Sequence, residues 1–406
     1  MGNHCPARTG ESIIVACRTA TPGRLAGQDC PAYCAELTVV SSPVLAIPWC
    51  GYAILALLAW LGAAAPAAEP PLGMIELKLK GQKIEGQPLF WDDSRVHLLG
   101  RDGRLWEFAP GDAAEPRQTA DRFRSYSPSE LRAALLRELG QGFEVTGTGH
   151  YLVAHAAGER DKWAERFETL HRAFVHYFST RSVKLQEPPT PLVGVVCRNQ
   201  AEFTRYAAQQ GIPPQAGVLG WYSPVTNRII VYDMGGSGRS DQWQQNASVI
   251  IHEATHQTAF NTGIHSRYVT TPKWVAEGLA MMFEAPGVYN SRLHPHQAQR
   301  INRTRLDDFQ KAVRPQHRPE TIAAIVAKDD LFGRNPGAAY AQAWALTFFL
   351  VETMPQKYAQ YLARTAQRPP FASYTTAERT SDFTAVFGND WRMLEAKFLR
   401  FTDGLK

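Results

Sequence analysis

The segment Ile250-Ile-His252-Glu253-Ala-Thr-His256-Gln257 contains His-Glu-x-x-His, and no Pro or Gly interrupts residues 242–262. A helix is expected there. Four residues advance a helix by about one turn, so both imidazoles leave one face and can place two nitrogens ~2.0–2.1 Å from a single Zn2+. Glu253 stands beside them and can act on water as a general base without ligating the ion. A catalytic zinc takes three protein ligands and keeps a fourth position open. The third candidate is Glu277 in Pro272-Lys-Trp274-Val-Ala-Glu277-Gly278-Leu-Ala280, twenty-one residues after His256. Pro272 suits the start of a second helix, and two helices joined by a loop can bring Glu277 against the histidines. Asp233 and Glu284 compete less well as ligands. Glu284, two turns beyond Glu277, is expected to support a ligand rather than to be one. One Zn2+ per chain is the expected cofactor.

The elements that must hold these residues are partly legible. Residues 74–118 read as a small β unit: Met74 to Lys80 alternates apolar and polar, and Arg101-Asp102-Gly103 separates two apolar runs as a hairpin turn does. Residues 109–127 are polar and turn-rich and read as a linker. Ser127, Pro128 and Glu130 have the spacing of a helix N-terminus with a capping box, and the helix is expected to stop at Gly140. Strands are expected at 143–145, 151–154, 191–197, 218–222 and 228–232, with a short helix over 201–210. On 162–179, Trp163, Phe167, Leu170, Phe174 and Tyr177 recur at helical spacing and read as core. Gly235 to Gly238 is a flexible connector with no Lys-Ser/Thr pair to make it a phosphate loop. Helices are expected at 241–262, 272–284, 338–353, 355–366 and 388–403. Together these make an α+β protein. Its sheet half spans about 140–240 and its helical half about 241–406, within a domain beginning near 119.

Composition sets the outer bounds. The 406 residues, 44% hydrophobic and 20% charged, argue for a folded chain of two or three units. A net charge of +5, with no Lys/Arg run, gives nucleic-acid binding little support. Residues 1–68 read as a leader. The apolar run 52–62 has the length of a signal-peptide core, and Ala65-Pro66-Ala67 fits a cleavage site. Residues 44–65 are also long enough to span a bilayer as an uncleaved anchor. Export to the periplasm or beyond is expected, or anchoring in the inner membrane. Five of the six cysteines, Cys5, Cys17, Cys30, Cys34 and Cys50, fall in this leader, so the folded part needs no disulfide.

His-Glu-x-x-His followed by Trp-x-x-Glu-Gly-x-Ala resembles the signature of gluzincin-type metallopeptidases. A closer likeness is to the exported bacterial proteins of the DUF1570 group, carried by Tyr222-Ser-Pro-Val-Thr-Asn-Arg228 and by Tyr340-Ala-Gln-Ala-Trp-Ala-Leu346. The likeness spans roughly 140–400. It implies a zincin-like fold, peptide-bond hydrolysis and a peptide or protein substrate. It also implies an edge strand beside the cleft, at 218–222 or 228–232, that pairs with extended substrate, and an oxyanion donor, for which Tyr340 is the candidate ahead of His294 and His296. The Gly-x-Met-Glu-Asn segment of aminopeptidases is absent, which favours an endopeptidase. The rival expectation is an exported binding or scaffold protein whose core is stapled by zinc without turnover. Glu253 and the lack of an obvious fourth ligand speak against it. Oligomeric state has no sequence signal.

Overall fold

In the computed structural model the described residues are 73–158, 160–212, 218–234 and 240–405, excluding the side chains of 160–162 and 240–246. The expected leader with its five cysteines, the candidate span 44–65 and the expected connector Gly235–Gly238 lie outside them. Among the described residues no helix is long and apolar enough to cross a membrane. Cys197 is buried and free.

Among the described residues ten strands form two sheets. The first contains β1 (Met74–Leu79), β2 (Gln82–Trp91), β3 (Val96–Gly100), β4 (Leu105–Phe108) and β5 (Ala113–Ala120), in the order β4-β3-β2-β1-β5. All its pairings are antiparallel. Ile75, Leu77, Ile84, Val96, Leu98 and Phe108 make its own small core. The stretch expected as a linker contains β5, which pairs with β1. Between its two ends β5 is exposed on both faces, so it carries no apolar alternation to read.

The second sheet contains β6 (Phe143–Gly147), β7 (Tyr151–Ala156), β8 (Leu192–Cys197), β9 (Gly220–Ser223) and β10 (Arg228–Tyr232), in the order β6-β7-β8-β10-β9. β7, β8 and β10 are parallel, and β6 and β9 run antiparallel at the two edges. Parallel neighbours need crossovers, supplied by α2 (Arg160–Ser179) between β7 and β8 and by α3 (Gln200–Gln209) after β8. One face packs on α3 and on α1 (Pro128–Leu139), through Leu131, Leu135, Phe203 and Tyr206. The other packs on α2 and α4 (Ser240–Asn261), through Trp163, Phe167, Val249, Ile250 and Ala254. α1 begins with the expected capping box, Ser127 to Glu130, with Pro128 in its first turn.

The rest is helical: α5 (Lys273–Phe283), α6 (Pro286–Tyr289), α7 (Arg303–Asp308), α8 (Thr321–Ala327), α9 (Asp330–Arg334), α10 (Pro336–Thr353), α11 (Pro355–Ala366), α12 (Thr376–Phe387) and α13 (Trp391–Asp403). α5 and α10 are buried almost all round, as central helices are. Their contact explains Gly278: a Cβ there would lie 2.1 Å from Thr347 Oγ1 and 2.6 Å from the Ala343 carbonyl oxygen. Only glycine lets the two helices come so close. α4 lies between the halves. Val249 and Ile250 face the sheet core, whereas Ile251 and Ala259 belong to the helical core.

Candidate metal centre

α4 and α5 together build a small buried triangle. His252 and His256 leave α4 one turn apart, and their Nε2 atoms are 3.1 Å from each other. Glu277 Oε2, from α5, lies 3.4 Å from His252 Nε2 and 3.7 Å from His256 Nε2. Ligands bonded to one zinc at ~2.0–2.1 Å with tetrahedral angles sit about 3.3 Å apart, so the three atoms already have the needed spacing. Each residue is only 1% exposed. α5 is set in place by Trp274, fully buried and stacked on Tyr361 at 5.7 Å, and by the Gly278 approach to α10 one residue past Glu277.

Glu284 stands directly behind His252. Its Oε1 is 2.7 Å from His252 Nδ1, which leaves Nε2 facing the triangle. Its Oε2 accepts a hydrogen bond of 2.8 Å from Asn302 Nδ2. Asn302 has no local sequence signal, because it arrives from the start of α7.

Glu253 is fully buried and follows His252 on α4. Gly220 of β9 makes room for it: a Cβ there would be 2.4 Å from Val249 Cγ1 and 3.2 Å from Glu253 Cγ. Burial pushes the Glu253 carboxyl up to about 8, with Glu277 acting in the same direction and His252 against. Burial also pushes Glu277 up, but His256 and His252 outweigh it and hold that carboxyl at about 2. Burial lowers His256. Both oxygens of Glu253, Glu277 Oε1 and His256 Nδ1 are buried without a hydrogen-bond partner among the described residues, and Glu277 Oε2 meets the two imidazoles at 3.4 and 3.7 Å. Carboxylates buried in this state are costly unless a cation compensates them. The donor set of two imidazoles and a carboxylate suits zinc. Among the described residues the group holds three donors, with no fourth side chain completing it.

The Tyr222–Arg228 segment fastens the β9–β10 turn to α4. Tyr222 Oη donates to Asn227 Oδ1 at 3.0 Å, and the Asn227 and Asn261 amides bond each other at 2.9 and 2.7 Å. Gln257 Nε2 donates to the Asn227 and Val193 carbonyls at 2.8 and 3.0 Å. Asn227 has φ +56°, a conformation asparagine tolerates better than most residues. Of the two strands expected beside a cleft, β9 is the sheet edge and passes next to Glu253. The stretch 228–232 is not an edge, since β10 lies between β8 and β9.

The candidate oxyanion donors sit on the helical half. Tyr340 is half-buried on α10. Its ring meets Phe332 edge-on at 5.4 Å and lies 5.8 Å from the Arg305 guanidinium. His294 bonds Gln299 at 3.1 Å, and His296 is exposed.

The fold and the centre define an α+β protein with a two-histidine, one-glutamate constellation suited to a divalent metal. Residues 246–372 match the family DUF1570, described as a protein of unknown function. That span includes both histidines, Glu277, Glu284 and Tyr340. No curated protein matches the chain.

Proposed function

We propose that the chain is an exported, zincin-like peptidase that holds one zinc ion through His252, His256 and Glu277 and uses Glu253 as its general base. The observation that carries this reading is the triangle of donor atoms with edges of 3.1, 3.4 and 3.7 Å, with an unpartnered carboxylate one residue from its first ligand. When bound, zinc supplies Lewis acidity and acidifies water. Glu253 takes a proton from the attacking water and returns it to the leaving amine. Its raised pKa favours holding that proton between the two steps, and a nearby cation would draw the value down toward neutrality. β9 offers an edge for extended substrate, which suits an endopeptidase. Tyr340 is the proposed oxyanion donor.

The test compares Glu253→Gln with wild type. The variant should keep one zinc per chain and lose peptide cleavage by about 10²–10⁴-fold. Cleavage at the wild-type rate would remove Glu253 from the mechanism. Tyr340→Phe should lower kcat by about 10²–10³-fold with metal content unchanged; an unchanged kcat assigns Tyr340 to packing against Phe332.

One observation favours a second reading. All four residues are 1% exposed or less, as the core of a zinc-stapled binding protein would be. On that reading the wild-type protein binds zinc, gains stability from it and cleaves nothing in a peptide library.

A further inference from the structure

α2 carries a second polar constellation that the proposed chemistry does not use. Glu168 and His171 are three residues apart and leave α2 on one face, within the apolar stripe of Phe167, Leu170 and Phe174. His150 reaches the same place from the turn that enters β7. Its Nδ1 is 2.8 Å from Glu168 Oε1, and its ring stacks on that of His171 with centroids 4.0 Å apart. One nitrogen from each histidine and one Glu168 oxygen fall within 4.8 Å of one another.

Glu168 has work of its own in the fold. Its Oε2 accepts from Thr148 Oγ1 and from the His150 backbone N–H, both at 2.9 Å. The largely exposed Arg172 has its Nε 3.6 Å from Oε1. His171 has no such account. It is 3% exposed, and neither ring nitrogen has a hydrogen-bond partner among the described residues. It lines a cavity of about 440 Å³ together with Gln186, Glu187 and Thr262. His150 is one-third exposed and lines an adjoining cavity of about 560 Å³, which shares Glu187 and Pro188 with the first. Leucine would pack at position 171 without leaving two polar atoms bare. A buried imidazole with both nitrogens unpaired, beside a carboxylate and a second imidazole, meets the needs of a cation.

We propose that His150, Glu168 and His171 form a second metal site, for one divalent transition-metal ion of the zinc type. It shares no residue with the His252 centre. To reach the spacing of about 3.3 Å that bonds of ~2.0–2.1 Å require, the 2.8 Å contact between His150 Nδ1 and Glu168 Oε1 must open slightly, and the wider separations, all within 4.8 Å, must close. His150 Nδ1 already faces Glu168, so a turn of the His171 ring is the main adjustment. Two histidines and one carboxylate leave room for solvent from the His150 side. The ion joins the turn before β7 to α2, so it acts on the sheet half of the molecule.

The experiment is zinc stoichiometry by equilibrium dialysis of the full chain after chelator treatment. Wild type is expected to hold two ions. His150→Ala and His171→Leu should each hold one; the leucine keeps the packing volume. His252→Ala should also hold one, and His252→Ala combined with His150→Ala none. One ion in wild type that survives His252→Ala and leaves with His171→Leu would uphold this site and sink the peptidase centre. One ion that leaves with His252→Ala and survives His171→Leu would do the reverse. A second ion that persists in both His150→Ala and His171→Leu would overturn the site as drawn. Thermal unfolding covers a variant that folds poorly: in His252→Ala, added zinc should raise Tm, and no shift would overturn the proposal.

Discussion

His252 serves a cation only if its ring is held with Nε2 facing Glu277. Glu284 does this by taking the Nδ1 side at 2.7 Å, and Asn302 holds Glu284 in turn at 2.8 Å. A carboxylate behind a ligating histidine fixes its tautomer and raises its basicity, and losing such a partner costs about 10–100-fold in metal affinity. Glu284→Ala should therefore weaken zinc binding by about that factor while His256 and Glu277 still recruit the ion. Competition against a calibrated chelator measures it. Affinity equal to wild type would mean that packing alone orients His252. At this scale the sequence was generous. His252, Glu253, His256 and Glu277 converge as their spacing on two helices requires, and Glu284 takes a supporting place. It was silent on Asn302, whose approach depends on the tertiary path to α7. The pair Glu168 and His171 carries no sequence signal of its own, because the apolar residues on both sides mark that stretch as core.

Two glycines govern how closely the elements approach. Gly220 lets β9 run against α4, and Gly278 lets α5 run against α10. At Gly278 the obstruction to a side chain includes the Ala343 carbonyl, which is backbone and cannot rotate away. Gly278→Ala should push α5 off α10 and cost about 1–3 kcal/mol, as overpacking does. The residue next to it is the proposed third ligand, so zinc affinity should fall with stability. Urea unfolding and zinc titration of the same variant check both, and a loss of stability with unchanged affinity would uncouple Glu277 from the helix contact. Helix ends were legible where capping residues mark them, as at Ser127 and Glu130. The same signal at Thr375 and Glu378 opens α12. Strand order was not legible. Which of β9 and β10 forms the edge follows from crossovers that bring β10 beside β8, and nothing local to either strand records that. β5 escaped because a strand that buries neither face has no alternation.

At the scale of the molecule, the first sheet braces the β9–β10 turn that is clamped to α4. Leu105 N–H donates to the Val225 carbonyl at 2.7 Å. Arg267, on the loop between α4 and α5, donates to the Gly103 and Pro224 carbonyls at 2.6 and 2.7 Å. The charged centre of this junction is Arg228, 3% exposed, which donates to Glu138 at 2.5 Å and to Tyr206 at 2.7 Å and lies 3.8 Å from Asp102 of the first sheet. Arg104, also of that sheet, reaches Gln210, which itself bonds Glu138. Burial pushes the Glu138 carboxyl up, but Arg228 outweighs it and leaves the group below its ordinary value. A carboxyl with a depressed folded pKa contributes stability that is complete above its unfolded value of about 4.3 and is lost as pH falls through the folded value. Glu138→Gln keeps the shape and removes the charge, stranding part of Arg228. Since Glu138 is itself one-third exposed, the loss should be about 1–3 kcal/mol at pH 7, less than for a fully buried pair. The gap between wild type and variant should stay constant from pH 7 to about 5 and narrow below about 4 as the wild-type carboxyl protonates. Urea midpoints from pH 7 down to 3 would show it. A gap that does not change with pH would mean that Glu138 acts through its hydrogen bonds with Tyr206 and Gln210, and that Arg228 does not depend on its charge.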